Sequence, residues 1–109
     1  MSENVNVAMF DFVENCQKAK NVYFAEHYKN LAPSVFKINV GRKYWKITTI
    51  TDDGAGQESA FCFVDKKTGD ILKAASWKAP AKHARGNVLS LSGGLEALTY
   101  DKQYVRYLS

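Results

Sequence analysis

The residues Asp65-Lys66-Lys67-Thr68-Gly69-Asp70 stand between two short apolar runs, and no other stretch limits the fold so sharply. Asp65 suits the first position of a type I turn, where its carboxylate accepts from the amides that follow. Gly69 suits the left-handed conformation that closes a bulged hairpin. Residues 59–64 before the turn and 71–74 after it are therefore read as antiparallel neighbours. Strand 59–64 has Phe61 and Phe63 on one face and Ala60, Cys62 and Val64 on the other. Apolar groups on both faces put it in the middle of a sheet.

A second hairpin precedes this one. Residues 35–40, VFKINV, alternate Phe36, Ile38 and Val40 with Val35, Lys37 and Asn39. Gly41 and Arg42 make a tight connection to residues 43–51, KYWKITTIT, rich in aromatic and β-branched side chains. Asp52, Asp53, Gly54, Ala55 and Gly56 follow as an exposed loop. Upstream, residues 5–31 carry a helical stripe of Val5, Met9, Phe12, Val13 and Cys16, extended by Tyr23, His27 and Leu31. This predicts one amphipathic helix, or a pair of them broken at Asn21, with Asn4 or Asn6 as cap and Pro33 ending the helical region.

After the second turn the period fails. The segment APAKHARGN, between Trp77 and Val88, has neither strand alternation nor the length of an ordinary helix, and is read as a basic loop. Val88, Leu89 and Leu91 form a short strand or an anchor back to the core. Gly93 and Gly94 precede one helical turn at Leu95, Ala97 and Leu98, and residues 104–108 form a last strand. A helical region followed by four or five antiparallel strands predicts one α+β domain, helix packed on sheet, in a chain of 109 residues.

Charge is unevenly placed. Between Lys73 and Leu89 stand Lys73, Lys78, Lys82 and Arg85 with no aspartate or glutamate, so this window equals the net charge of +4 of the whole chain. Lysine and arginine neutralise phosphates while aromatic rings stack on unpaired bases, and the chain interleaves the two. Lys43, Tyr44, Trp45 and Lys46 lie on one hairpin arm; Trp77 and His83 sit among the basic residues of the later stretch. These residues predict a non-catalytic surface for single-stranded DNA or RNA, or for the nucleic-acid backbone. No helix rich in Arg, Asn or Gln suggests major-groove readout. Lys73, Lys78, Lys82 and Arg85 are assigned to phosphate, with Trp77, Tyr44 or Trp45 as stacking rings, Lys43 and Lys46 in support, and His83 counted in the same binding surface.

Other chemistries find less. His27 and His83 with Asp52, Asp53, Asp65 or Asp70 are the parts of a nuclease, but the aspartates stand where turns want them. Cys16 and Cys62 sit in apolar patterns without metal-ligand spacing, as two reduced thiols would, and no metal or cofactor is expected. The apolar residues near the start are interrupted by Glu3, Asn4, Asn6, Asp11 and Glu14, unlike a signal peptide, and no span of about 20 apolar residues crosses a membrane. A cytoplasmic protein is expected. The alternative function is an interaction module, whose basic loop docks on a host or viral protein or whose sheet edge pairs in a homodimer.

Residues 41–87 contain the phrases GRKYWKI and FVDKKTGDILKAASWKAPAKHARGN. In them the chain resembles a group of small, mostly uncharacterised proteins encoded by bacteriophages. The resemblance implies a viral protein acting in an infected bacterial cell, carries no catalytic role, and favours a nucleic acid or a host protein as partner.

Overall fold

A computed structural model describes residues 2–28, 30–51, 56–99 and 103–105 of the chain. It holds one helix, α1 (Ser2–His27), and five strands, β1 (Val35–Val40), β2 (Tyr44–Ile50), β3 (Glu58–Asp65), β4 (Asp70–Ala74) and β5 (Pro80–Asn87). The strands form one antiparallel meander in the order β1-β2-β3-β4-β5, with α1 against one face. This is the expected α+β architecture, with β3 central as its two apolar faces require.

The stripe on α1 buries Val5, Met9, Phe12, Val13 and Cys16 against Trp45, Ile47, Cys62, Val64 and Ile71. Each fully buried side chain of the size of Met9 or Phe12 contributes about 1.5–3 kcal/mol. The helix is continuous through Asn21, whose side-chain oxygen accepts from Gln17 Nε2 one turn earlier at 3.1 Å instead of competing for the backbone. It ends at His27, well before Pro33. The stripe does not continue as expected: Tyr23 is half-buried, His27 and Leu31 are exposed, and the next buried position is Lys20. Gln17 also fastens α1 to the sheet edge. Its Oε1 accepts the Phe36 N–H at 2.9 Å and its Nε2 donates to the Ser34 carbonyl at 2.8 Å.

The Asp65 turn forms as its residues dictate. Asp65 Oδ1 accepts from the Lys67 and Thr68 amides at 2.8 and 3.0 Å, and Gly69, at φ 81°, donates to the Asp65 carbonyl. One reading of β3 is corrected. Ile47 pairs with Cys62 but Thr48 pairs with Ala60, so Phe61 is an extra, bulged residue. The bulge turns Phe61 into the core beside Phe36, with ring centroids 4.9 Å apart. Phe63 instead meets Tyr44 at 5.9 Å, outside the core cluster. The two phenylalanines therefore do not share a face.

The basic segment is also corrected, from loop to strand. β5 pairs with β4, but the register shifts twice, between Ile71 and Leu72 and between Leu72 and Ala74. Inserted residues erase the period of two by which a strand is read. The edge position accepts Pro80 as first residue, since no ladder amide is needed there. Beyond β5, Val88 alone of the three expected anchors is buried, while Leu89 and Leu91 are exposed. A one-turn 3₁₀ helix, Leu95–Ala97, brings Ala97 and Leu98 into the core, and Leu98 bridges to Val105. The rest of the last expected strand, and the loop with Asp52 and Asp53, lie outside the described residues.

Candidate functional site

Strand pairing decides what the open face carries. Asn39, Lys46, Phe63, Leu72 and Ala84 are cross-strand partners in one row running from β1 to β5 on the face away from α1. Phe63 and Leu72 are buried although neither belongs to the core under the helix. Tyr44 packs on Phe63, and the β4–β5 connection folds back over the same region. That connection is held by its own hydrogen bonds. The amides of Ala75 and Ser76 donate to the Ala79 carbonyl at 3.0 and 3.1 Å, and Ser76 Oγ accepts from the amides of Lys78 and Ala79. Its tip carries Trp77 onto Lys46, whose Nζ lies 3.3 Å from the ring centroid. An ammonium over an indole face contributes about 0.5–1 kcal/mol when exposed and more when desolvated.

Beside this pair is an open pocket of about 320 Å³. Its walls include Arg42, Lys43, Lys46 and Lys78 together with Tyr44 and Phe63, and among the described residues no carboxylate lines it. Asn39, also in the wall, is committed to the Lys46 carbonyl and Thr48 Oγ1, both at 3.2 Å. The hairpin tip that presents Arg42 and Lys43 is braced from behind by Lys66. Lys66 Nζ donates to the Gly41 carbonyl at 2.8 Å, and its amide donates to the Lys43 carbonyl at 3.1 Å. Four cationic residues in one wall, with no counter-charge beside them among the described residues, raise the local potential for anions.

The structure thus gathers Lys43, Tyr44, Lys46, Trp77 and Lys78 from two distant segments and adds Arg42 and Phe63, which the sequence reading placed only in a turn and a strand. Trp77 is 48% exposed, so it is neither a buried anchor nor a bare platform: Lys46 lies against the ring, and about half of its surface meets solvent. Five assignments fall elsewhere. Lys73 pairs with Cys62 and therefore faces α1, where its Nζ donates to the Val105 carbonyl at 2.8 Å. Lys82 and His83 are exposed on β5, away from the pocket lining, and the Arg85 guanidinium bends back to the His83 carbonyl. Trp45 is 7% exposed and belongs to the core, so it cannot stack on a base without unfolding.

The other candidate chemistry is dispersed. Tyr23 packs on the His27 ring at 4.3 Å near the end of α1, far in sequence and fold from His83 on β5. Asp65 serves its turn, and Asp70 accepts from Asn87 Nδ2 at 2.9 Å. Among the described residues no three His, Cys, Asp or Glu side chains gather where they could hold a metal ion. Cys16 and Cys62 are free and buried. Burial pushes the Cys16 thiol up to about 12 against the lowering effect of Lys20, and burial followed by the neighbouring Cys16 pushes Cys62 upward as well. No helix among the described residues is long and apolar enough to cross a membrane.

Fold and pocket together define a small α+β protein whose meander offers a cation-lined, aromatic-floored pocket on the face its helix leaves open. The chain belongs to the family of unknown function DUF7717, whose model matches residues 2–102. No curated protein and no solved structure matches it.

Proposed function

We propose that the protein is a non-catalytic nucleic-acid-binding protein acting on single strands or on the backbone in a phage-infected bacterial cell. The observation that carries this reading is the pocket lined by Arg42, Lys43, Lys46 and Lys78, with no carboxylate among the described residues of its wall, abutting the half-exposed ring of Trp77. In this reading the four cations take phosphates, and Trp77 with Tyr44 stacks on bases. Every base has a π-face, so such a surface tolerates any sequence. The test is fluorescence anisotropy of labelled DNA and RNA oligonucleotides across a salt series. Lys46→Ala with Lys78→Ala should weaken binding and shallow the slope of log K against log salt by about 0.7 for each phosphate no longer neutralised. Trp77→Ala should cost about 1–3 kcal/mol of affinity. Lys73→Ala, on the other face, should leave both unchanged. An absence of binding by the native chain at low salt sinks the reading. Capture of one acidic protein from nuclease-treated host lysate, abolished in the double variant, would then favour a protein partner for the same surface.

A further inference from the structure

The two outer strands of the meander differ in how their free edges are closed. β5 begins at Pro80, which has no amide to offer, shifts register twice, and gives its Asn87 N–H to Glu96 Oε2 at 2.9 Å. Such breaks keep an edge from pairing with another strand. β1, in contrast, pairs with β2 along its whole length without a shift. The direction of its bonding is set at both ends. The Phe36 N–H and the Ser34 carbonyl point away from β2, where Gln17 of α1 takes both, whereas the Gly41 N–H donates to the Tyr44 carbonyl across the hairpin at 3.0 Å. Even-numbered residues of β1 therefore turn their backbone groups outward, and odd-numbered ones turn theirs to β2. The outward N–H and carbonyl groups of Ile38 and Val40 bond to nothing among the described residues. Val40 is 76% exposed, and Phe10, two turns before Gln17 on the same side of α1, is 52% exposed.

We propose that this open stretch of β1 pairs antiparallel with the same stretch of a second copy, joining their sheets into one across a two-fold axis at Asn39. In that register Ile38 of each copy lies opposite Val40 of the other, and each such pair exchanges both of its outward N–H···O bonds. The register follows from where the edge is already closed. The chain turns off toward β2 at Gly41, so the second copy leaves the edge beside Phe36, and the groups it does not reach there are those that Gln17 satisfies. On the helix face the exposed Val40 packs on the half-buried Ile38 of the other copy, with Phe10 at the flank. On the open face Lys37, exposed and in no ion pair among the described residues, lies opposite Gly41 of the other copy and not opposite its own counterpart. There it stands diagonal to Asn39, whose Nδ2 is committed to Lys46 and Thr48 and whose Oδ1 accepts from none of the described residues. Each copy thus adds a cation beside Asn39 and Gly41 in the other's pocket wall, and the two pockets become neighbours across the axis. The pairing itself does not depend on what those pockets bind.

The experiment is sedimentation equilibrium of the full chain from about 1 to 100 µM, over which the mass should rise reversibly from that of one chain toward that of two. Val40→Pro removes an outward N–H at a position whose side chain is exposed, and an edge strand accepts proline there, so the fold stays. It should weaken the dimer at least about tenfold. Leu91→Ser, which removes an exposed leucine beyond β5 at the opposite side of the sheet, should leave the dimer as it was. The register is read by cross-linking. Asn39→Cys sets two thiols at the axis in a non-hydrogen-bonded pair, about 4.5 Å apart at Cα and within disulfide reach, and oxidised glutathione should link them. Lys37→Cys, opposite Gly41, should remain a single chain on a non-reducing gel. The mass of one chain at every concentration, or a dimer that Val40→Pro leaves equally strong, overturns the pairing. Cross-linking of Lys37→Cys as fast as that of Asn39→Cys overturns the register.

Discussion

Glu96 ties the end of β5 to the 3₁₀ turn, and its removal should make stability depend differently on pH. Its Oε2 accepts the Asn87 N–H at 2.9 Å, and its Oε1 accepts from Ser90 Oγ at 2.7 Å and from Ser92 Oγ. Partial burial by itself raises the carboxyl, but the hydrogen bonds from Ser92, Ser90 and the Asn87 amide outweigh it and hold the group at about 2 instead of 4.5. A folded value below the unfolded one stabilises the protein fully above about 4.5, and this contribution is lost as pH falls toward about 2. At about 1.36 kcal/mol per pH unit the gap sets a ceiling near 3 kcal/mol. Glu96 is exposed, and solvent screening leaves about 1 kcal/mol of that. Glu96→Gln keeps the shape but loses the charge, and its NH₂ cannot accept from Asn87. In urea unfolding with a slope of about 1–3 kcal/mol per molar, the variant's midpoint should fall by about 0.5 M at neutral pH. The difference from the native chain should close as both are taken to pH 2. Other carboxylates titrate in the same window, so the difference between the two proteins is the quantity read. A difference that is absent at pH 7, or undiminished at pH 2, refutes the reasoning.

Two further outcomes follow from the core. Gly94 stands at φ 96°, and a Cβ there would lie 2.6 Å from Ile71 Cδ1 and 2.9 Å from Phe12 Cδ1. Gly94→Ala should therefore cost about 3 kcal/mol from backbone strain and overpacking together, lowering the melting temperature by more than about 10 °C. Gly93→Ala, at φ 67° with nothing within 4 Å of the added Cβ, should cost only about 1 kcal/mol. For the thiols, burial that pushes Cys16 up to about 12 and Cys62 well upward leaves essentially no thiolate on either at pH 8. Both should resist a thiol reagent in the native protein and react at the rate of unfolding. A burst of labelling before unfolding would show the core between α1 and the sheet to open locally.

The parts of the fold visible in the sequence are those in which each residue satisfies one local rule. The Asp65–Gly69 turn needs only a carboxylate at its start and a glycine at positive φ, and both are there. The stripe from Val5 to Cys16 follows the helical period and is buried as that period demands. Reading stops where an element breaks its own period. Phe61 is one residue too many in β3, so strict alternation assigns it to the face of Phe63 when it belongs with Phe36 in the core. β5 carries two register shifts together with Pro80 and Gly86, and what remains has no period to detect. Gly86 has a reason that lies outside its strand: a Cβ there would come within 2.7 Å of Glu96 Oε2, from a turn ten residues later.

The same cause divides the basic stretch. Charge density along the chain counts Lys73, Lys78, Lys82 and Arg85 as one feature, but a strand sends neighbouring side chains to opposite faces. Lys73, on β4, goes under the helix with Cys62, whereas Lys78, in the connection after β4, reaches the pocket of the other face. What fills that pocket instead is a hairpin tip from some thirty residues earlier, Arg42 and Lys43, with Lys46 from the strand behind it. The link between the two segments is β3, since the Lys46–Phe63–Leu72 row fixes how far the β4–β5 connection must reach to set Trp77 on Lys46. A site assembled by the register of a meander is thus legible only after the register is known. A single slip of β3 against β2 would turn Lys46 toward the helix and dissolve the pocket without altering one charge in the sequence.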